Sequence, residues 1–171
     1  MEASNIDGES HPPDGSGVVV GIAVQHGQAY FAVVECPDKL LLSDPLDRIT
    51  PTQQVDRPEG LADFRDRVAQ ELRRLRPVAV GVGFTRKYKS WTAEEAFSRF
   101  SLDTAAMLAA VDLNIPCTQV RQEDAARAVG IAPTALAQHA AATLGVEPTK
   151  YWNERVWAIA TALQVAQEQC P

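Results

Sequence analysis

The sequence predicts an α/β domain built on a mixed five-stranded sheet with helices packed against it. Three observations carry that reading. Two runs of small and β-branched residues, VVVGIAV at 18–24 and VAVGVGF at 78–84, have the unbroken apolar character of strands buried on both faces. Between them, apolar residues recur every three or four positions across 61–75, the period of an amphipathic helix. The first run is followed at once by a second strand. The chain therefore makes a hairpin and then alternates helix with strand, which puts antiparallel and parallel pairs in one sheet.

Residues 1–16 surround a single isoleucine with prolines, glycines and acids and read as a disordered tail, leaving one domain over 17–171. After the first strand, QHGQ at 25–28 reads as a turn into AYFAVVE at 29–35. CPD then interrupts the chain, and KLLLS at 39–43 is a short third strand. The stretch 44–57, with Pro45 and Pro51, reads as a loop. In the first helix Leu61, Phe64, Val68, Leu72 and Leu75 form the apolar stripe. Pro58 and Glu59 suit its first turn, Arg73, Arg74 and Arg76 its last, and Pro77 ends it.

The fourth strand at 78–84 runs into the basic, aromatic loop FTRKYKSW. Thr92 and Glu95 then have capping-box spacing for a helix to about residue 113. Asn114-Ile115-Pro116 turns into a last strand, CTQV. Two short helices follow at 122–129 and 133–144, separated at Gly130. The final helix, about 149–169, is expected to bury Trp152, Val156, Ile159, Leu163 and Val165 or Ala166.

Composition narrows the function classes. The 171 residues are 46% apolar and 22% charged, which excludes wholesale disorder. A net charge of -6 and a pI near 5.0 count against a general nucleic-acid binder, although a local basic patch can sit on an acidic body. No apolar run approaches the ~20 residues of a membrane span, and the start lacks a basic stretch followed by an apolar one. The expectation is a cytoplasmic protein with no membrane contact. Cys36, Cys117 and Cys170 are odd in number, far apart and without zinc-ligand spacing, so they read as reduced thiols.

The motifs carry a family resemblance. Gly21-Ile22-Ala23 lies in the first strand, Gly27 in the turn, and Val33-Val34-Glu35 closes the second strand. Arg76-Pro77 leads into the strand ending at Gly83. Residues 103–120 and Val129-Gly130-Ile131-Ala132 precede a helix that reads Trp152-Asn153-Glu154-Arg155-Val156-Trp157-Ala158-Ile159-Ala160. In element order and in these motifs, residues 18–167 resemble the RuvC-type Holliday-junction resolvases of the ribonuclease H-like superfamily.

The resemblance implies a ribonuclease H-like fold, DNA recombination as the setting and branched DNA as the partner. It also implies two magnesium ions held by four carboxylates for an in-line displacement by water. The four matching positions are Ala23, Gly83, Trp152 and Arg155. None of these ligates magnesium, and Arg155 adds positive charge beside the missing metal. The resemblance therefore implies a pseudoenzyme without a cofactor. Members of the family are homodimers, which makes Phe97, Phe100 and Met107 candidates for such contacts, with core packing as their default role.

Arg86, Lys87, Tyr88, Lys89 and Trp91 form the strongest candidate for contacting nucleic acid, since cations pair with phosphates while aromatic rings stack on bases. Lys150 and Arg155 are candidates for the same cleft. The plainer reading is a solvated loop with Trp91 packed before its helix. Relocated acids at Glu35, Asp38, Asp44, Asp47 or Glu154 would be needed to rebuild a magnesium site. His26 is a conceivable base but reads as an exposed turn residue. Ala126, Gly130 and Leu136 fall at helix-turn-helix spacing, yet the second helix has no Arg or Lys, so the pair reads as packing. No phosphate loop or nucleophile triad is present.

Three functions compete. The favoured one is an inactive RuvC-like protein that binds branched or structured nucleic acid. The second is a protein-interaction module on a degenerate ribonuclease H-like fold. The third is a magnesium-dependent structure-specific endonuclease with relocated acids such as Glu35 or Glu154.

Overall fold

The computed structural model describes residues 17–42, 48–52, 54–84 and 90–170. The expected tail at 1–16, the loop cations Arg86, Lys87 and Lys89, Tyr88, and the acids Asp44 and Asp47 lie outside the described residues.

Strand β1 (Gly17–Gln25) turns at once into β2 (Gln28–Cys36), which leads to the short β3 (Leu40–Leu42) and β4 (Arg48–Ile49). Helix α1 (Pro58–Leu75), β5 (Ala79–Phe84), α2 (Ala93–Asp112) and β6 (Cys117–Arg121) follow. Then come α3 (Gln122–Val129), a 3-10 turn at Pro133–Ala135, α4 (Leu136–Leu144) and α5 (Trp152–Gln169). The sheet order is β3-β2-β1-β5-β6, with β4 paired to β2. β1 runs antiparallel to β2 and parallel to β5, which is parallel to β6. The expected mixed α/β architecture is therefore present.

The hairpin closes on two residues, His26 at φ 50° and Gly27 at φ 71°. This left-handed pair has the twist that joins adjacent antiparallel strands, and it sets Gln25 opposite Gln28. His26 is exposed, as a turn residue should be.

Two readings need correction. β4 interrupts what reads as a loop: Arg48 and Ile49 pair with Tyr30 and Ala29, and Ile49 is buried. Two residues are too few to show an alternation. The cysteines also differ from expectation. Cys36 and Cys170 form a disulfide with a Cα–Cα distance of 5.9 Å, and only Cys117 remains a thiol among the described residues. The sequence separation of 134 hid their proximity, which arises because α5 ends beside the end of β2.

The sheet is covered on both faces. Val20, Ile22 and Val24 pack toward α1 and α2 with Phe31, Phe64, Leu72 and Leu102. Val19 and Ala23 face α5, whose Val156, Ile159 and Val165 share their cluster. This explains why β1 is an unbroken apolar run. α5 lies unusually close to the sheet: a Cβ on Gly21 would overlap the Ala158 carbonyl oxygen and the backbone of Ala162. On its outer side α5 is covered by α3 and α4, where Ala126, Leu136 and Ala140 are buried. The pair at 122–139 is thus packing, as read, with His139 exposed.

α2 begins at the expected box. Glu95 N donates to Thr92 Oγ1 at 3.1 Å, and Thr92 N donates to Glu95 Oε2 at 2.8 Å. α5 starts at Trp152, later than expected, because Tyr151 takes a left-handed conformation at φ 59°. No helix among the described residues is long and apolar enough to cross a membrane.

Candidate functional site

In parallel α/β sheets, binding sites gather at the carboxyl ends of the strands, where the intervening chain leaves a crevice. Here that end is marked by Ala23 and Gly83, partners in the β1–β5 register. A small cavity beside them is lined from α2 by Arg99, from the β6–α3 junction by Gln122, and from α5 by Trp157 and Thr161. A larger cavity of about 600 Å³ opens alongside, between the β1–β2 turn, the start of α2 and α5. Gln25, Arg99, Gln122 and Trp157 line both cavities.

Arg99 organises this end of the sheet. Its Nη1 donates to Gln25 Oε1 at 3.5 Å, and its guanidinium carbon lies 5.0 Å from the Trp91 ring centroid. Trp91 meets Phe100 edge-on at 6.4 Å, and Phe100 stacks on Phe84 at 6.1 Å. The ring expected as a nucleic-acid contact is therefore half-buried at the cavity wall and fixed by α2.

One turn along α2, Asp103 is 2% exposed, and neither carboxyl oxygen has a hydrogen-bond partner. Burial pushes its pKa up to about 7, against the opposing charge of Arg99.

The residues at the Ala23–Gly83 end do not fit a divalent cation. A hard cation needs oxygen ligands, mostly carboxylates. The small cavity offers a methyl group, a bare backbone, two amides, a hydroxyl, an indole and a guanidinium. No cluster of three His, Cys, Asp or Glu able to hold a metal occurs among the described residues.

A second cluster flanks the same end through β2, where Tyr30 sits opposite Ala23. Arg48 lies 4.0 Å over the Tyr151 ring and donates from Nη1 to Gln28 Oε1 at 2.9 Å. Lys150 Nζ lies 4.9 Å from the same ring, and Tyr30 meets Tyr151 at 6.1 Å. Burial and then the Glu154 carboxylate raise the Tyr30 phenol's pKa, while Arg48 opposes them.

Of the four positions singled out by sequence, the structure brings Ala23 and Gly83 together. Trp152 is buried, and its Nε1 donates to the Ala137 carbonyl at 2.9 Å. Arg155 is buried and donates from Nη1 to Thr149 Oγ1 at 2.9 Å. Neither lines the two cavities; α5 reaches them through Trp157 and Thr161 instead.

Lys150 is exposed beside Tyr151. Glu35 is exposed and pairs with Val18, five residues from Ala23 along β1, or roughly 17 Å at strand rise. Asp38 lies in the turn beyond it, and Glu154 stands on the Tyr30 side. Phe97 is 55% exposed, while Phe100 and Met107 are half-buried.

Sequence reading passed over Arg99, Gln25, Gln122 and Arg48 as site residues, and weighed Trp157 with Trp152 only as one core and one interface residue. One signal was present: Arg99 and Asp103 are charges four apart on a helix face that otherwise reads Ala96, Leu102, Ala106 and Ala110. The others carried none, because they come from separate elements.

No protein-family model matches the chain, and no curated protein matches its sequence. Solved structures do. Thermus thermophilus RuvC is 22% identical with a TM-score of 0.64, covering 86% of this chain and 92% of that one. RuvC of the same organism in complex with a Holliday junction substrate gives 22% identity and a TM-score of 0.66, over 86% and 91%. The yeast mitochondrial Holliday junction resolvase Ydc2 gives 12% identity and a TM-score of 0.60, over 92% and 81%. The chain thus has the ribonuclease H-like fold of these resolvases.

Proposed function

We propose that this protein is a non-catalytic counterpart of RuvC-type resolvases that binds branched DNA at the carboxyl end of β1 and β5. The observation that carries the reading is the exchange of charge at this end. Ala23 and Gly83 hold positions where the resembled family has carboxylates, and the guanidinium of Arg99 lines the cavity beside them. A two-metal site draws cations in and needs acids to hold them. The small cavity has Arg99 as its one charged side chain, beside aromatic and amide surface that suits a phosphate and an exposed base, while Glu94 and Glu95 line the larger cavity alongside. Arg48 and Lys150, gathered over Tyr151, extend the positive surface along the neighbouring edge. The loop cations Arg86, Lys87 and Lys89, which follow β5 in the sequence, are proposed as further DNA contacts.

A four-way DNA junction and a linear duplex, tested with and without Mg²⁺ or Mn²⁺, decide the matter. The expected result is preferential junction binding, no cleavage, and affinity that falls steeply with salt. Arg99→Glu should weaken binding by tenfold or more. Metal-dependent cleavage would instead make the protein an endonuclease with relocated acids, and no junction binding at low salt would sink the reading.

A second reading rests on the exposed apolar groove between α1 and α2. Phe97 is 55% and Leu108 45% exposed there, and with a net charge of -6 the surface suits a protein partner or a second copy of the chain. Salt-insensitive self-association or partner binding, lost in Phe97→Asp, would favour it.

A further inference from the structure

One buried ionisable group lines neither of the two cavities at the Ala23–Gly83 end. Asp103 on α2 is 2% exposed, and neither of its carboxyl oxygens has a hydrogen-bond partner. An acid so placed is held only where a proton or an opposite charge compensates it. The faces that β1, β5 and α1 turn toward α2 are apolar, through Ile22, Val82, Phe64 and Leu72. Cys117 on β6 keeps its proton, because burial pushes the thiol up to about 11, and Arg65 on α1 pairs with Asp66 and Asp112. Among the described residues Arg99 is the one charge that acts on Asp103, from one helical turn away. The same Arg99 lines both cavities, whereas His26, Glu94 and Glu95 line only the larger one.

We propose that Asp103 is a proton-operated control on Arg99: uncharged, it leaves the guanidinium's field to a DNA phosphate, and ionised, it draws on that field from within the fold and weakens the hold. The inference rests on the branched-DNA reading, which supplies the phosphate. Helix geometry makes the coupling, since residues four apart lie on one face. In the dry surroundings of Asp103 a charge is screened little, so the pair interacts more strongly than it would on a wet surface. Arg99 keeps its hydrogen bond to Gln25, its place over Trp91 and its other contacts throughout, because the effect is one of charge alone. Burial pushes the Asp103 pKa up to about 7, which puts the change of state near neutral pH. A phosphate on Arg99 cancels the one attraction that favours the ionised acid, so binding takes up a proton. By linkage, affinity falls as the pH rises through that range.

The test is a pH series of four-way junction binding to the full chain at fixed salt, from about pH 5.5 to about pH 8.5. It compares the wild type with Asp103→Asn and with His26→Gln, because His26 lines the larger cavity and histidines change charge in this interval. In parallel the Asp103 side-chain carboxyl, assigned through the backbone, is titrated by carbon NMR with and without the junction. The wild type is expected to lose about fivefold in affinity across the series, the low end of couplings between sites. The Asp103 midpoint should rise by about 0.7 of a pH unit on binding, the same factor read from the other side. Asp103→Asn should bind at the high end as tightly as the wild type at the low end and show no slope. His26→Gln should keep the slope.

Equal slopes in the wild type and Asp103→Asn would overturn the control while leaving junction binding intact. So would a slope that disappears in His26→Gln and persists in Asp103→Asn. A wild type that binds no junction at low salt removes the branched-DNA reading and this inference with it. Should Asp103→Asn fail to fold, the wild-type carboxyl decides: a midpoint that rises on adding the junction upholds the inference, and one that stays in place overturns it.

Discussion

A Cβ placed on Gly83 would lie 3.0 Å from the Thr161 hydroxyl oxygen and 3.8 Å from the Ala23 Cβ. β5 and α5 therefore meet at this point through bare backbone and one hydroxyl. A side chain added at Gly83 would require Thr161 to give by a few tenths of an ångström.

Gly83→Glu combined with Ala23→Asp is accordingly expected to lower stability and to give no magnesium-dependent junction cleavage. Overpacking against Thr161 and burial of charge together should cost at least about 2 kcal/mol. Urea unfolding measures the first and a junction cleavage assay the second. Cleavage by the double variant would mean that the site had kept its metal geometry.

The Cys36–Cys170 bridge spans a sequence separation of 134 and ties the end of β2 to the end of α5. A cross-link over so long a loop removes much of the freedom of the unfolded chain. Cys36→Ala and Cys170→Ala should each cost about 2–4 kcal/mol, and the double variant no more than either alone. Burial pushes the Cys117 thiol up to about 11, so it should alkylate slowly at pH 8 in the folded protein. Thiol counting under native and denaturing conditions checks both statements. Two rapidly reacting thiols in the native, unreduced protein would contradict the bridge.

Asp103 makes stability depend on pH. Its carboxyl sits near 7 when folded against an ordinary 3.8, so the folded state holds the proton more tightly than the unfolded one. Its contribution is most favourable below about 3.8 and is lost as the pH rises toward 7, a cost of about 4 kcal/mol once ionised. Asp103→Asn should therefore gain stability over the wild type as pH rises from 5 to 8. Thermal or urea unfolding of both proteins across that interval is the measurement. Parallel curves would remove the buried acid from the account.

The legible parts of this protein are those fixed by local periodicity. Leu61, Phe64, Val68 and Leu72 specify α1 because a helix brings every third or fourth residue to one face. Thr92 and Glu95 specify the start of α2 because their partners are three residues away. His26-Gly27 specifies the hairpin because few residues tolerate a left-handed turn. The unbroken apolar run of β1 even reports that both faces of the sheet are covered. β4 was not legible, since two residues carry no period, and neither was the start of α5, where Tyr151 alone turns left-handed.

The α/β class, the order of nearly every element and the absence of acids at positions 23 and 83 can all be read along the chain. Which residues share the sheet end depends on the packed fold: Arg99, Gln25, Gln122 and Trp157 come from four places in the chain. On the same packing depends that Cys36 and Cys170 meet, that Trp152 and Arg155 are held by Ala137 and Thr149, and that Asp103 is buried. The reason is one of range. Secondary structure is set by neighbours within four residues, whereas a cavity, a disulfide and a desolvated charge are set by contacts that exist only once the helices close onto the sheet.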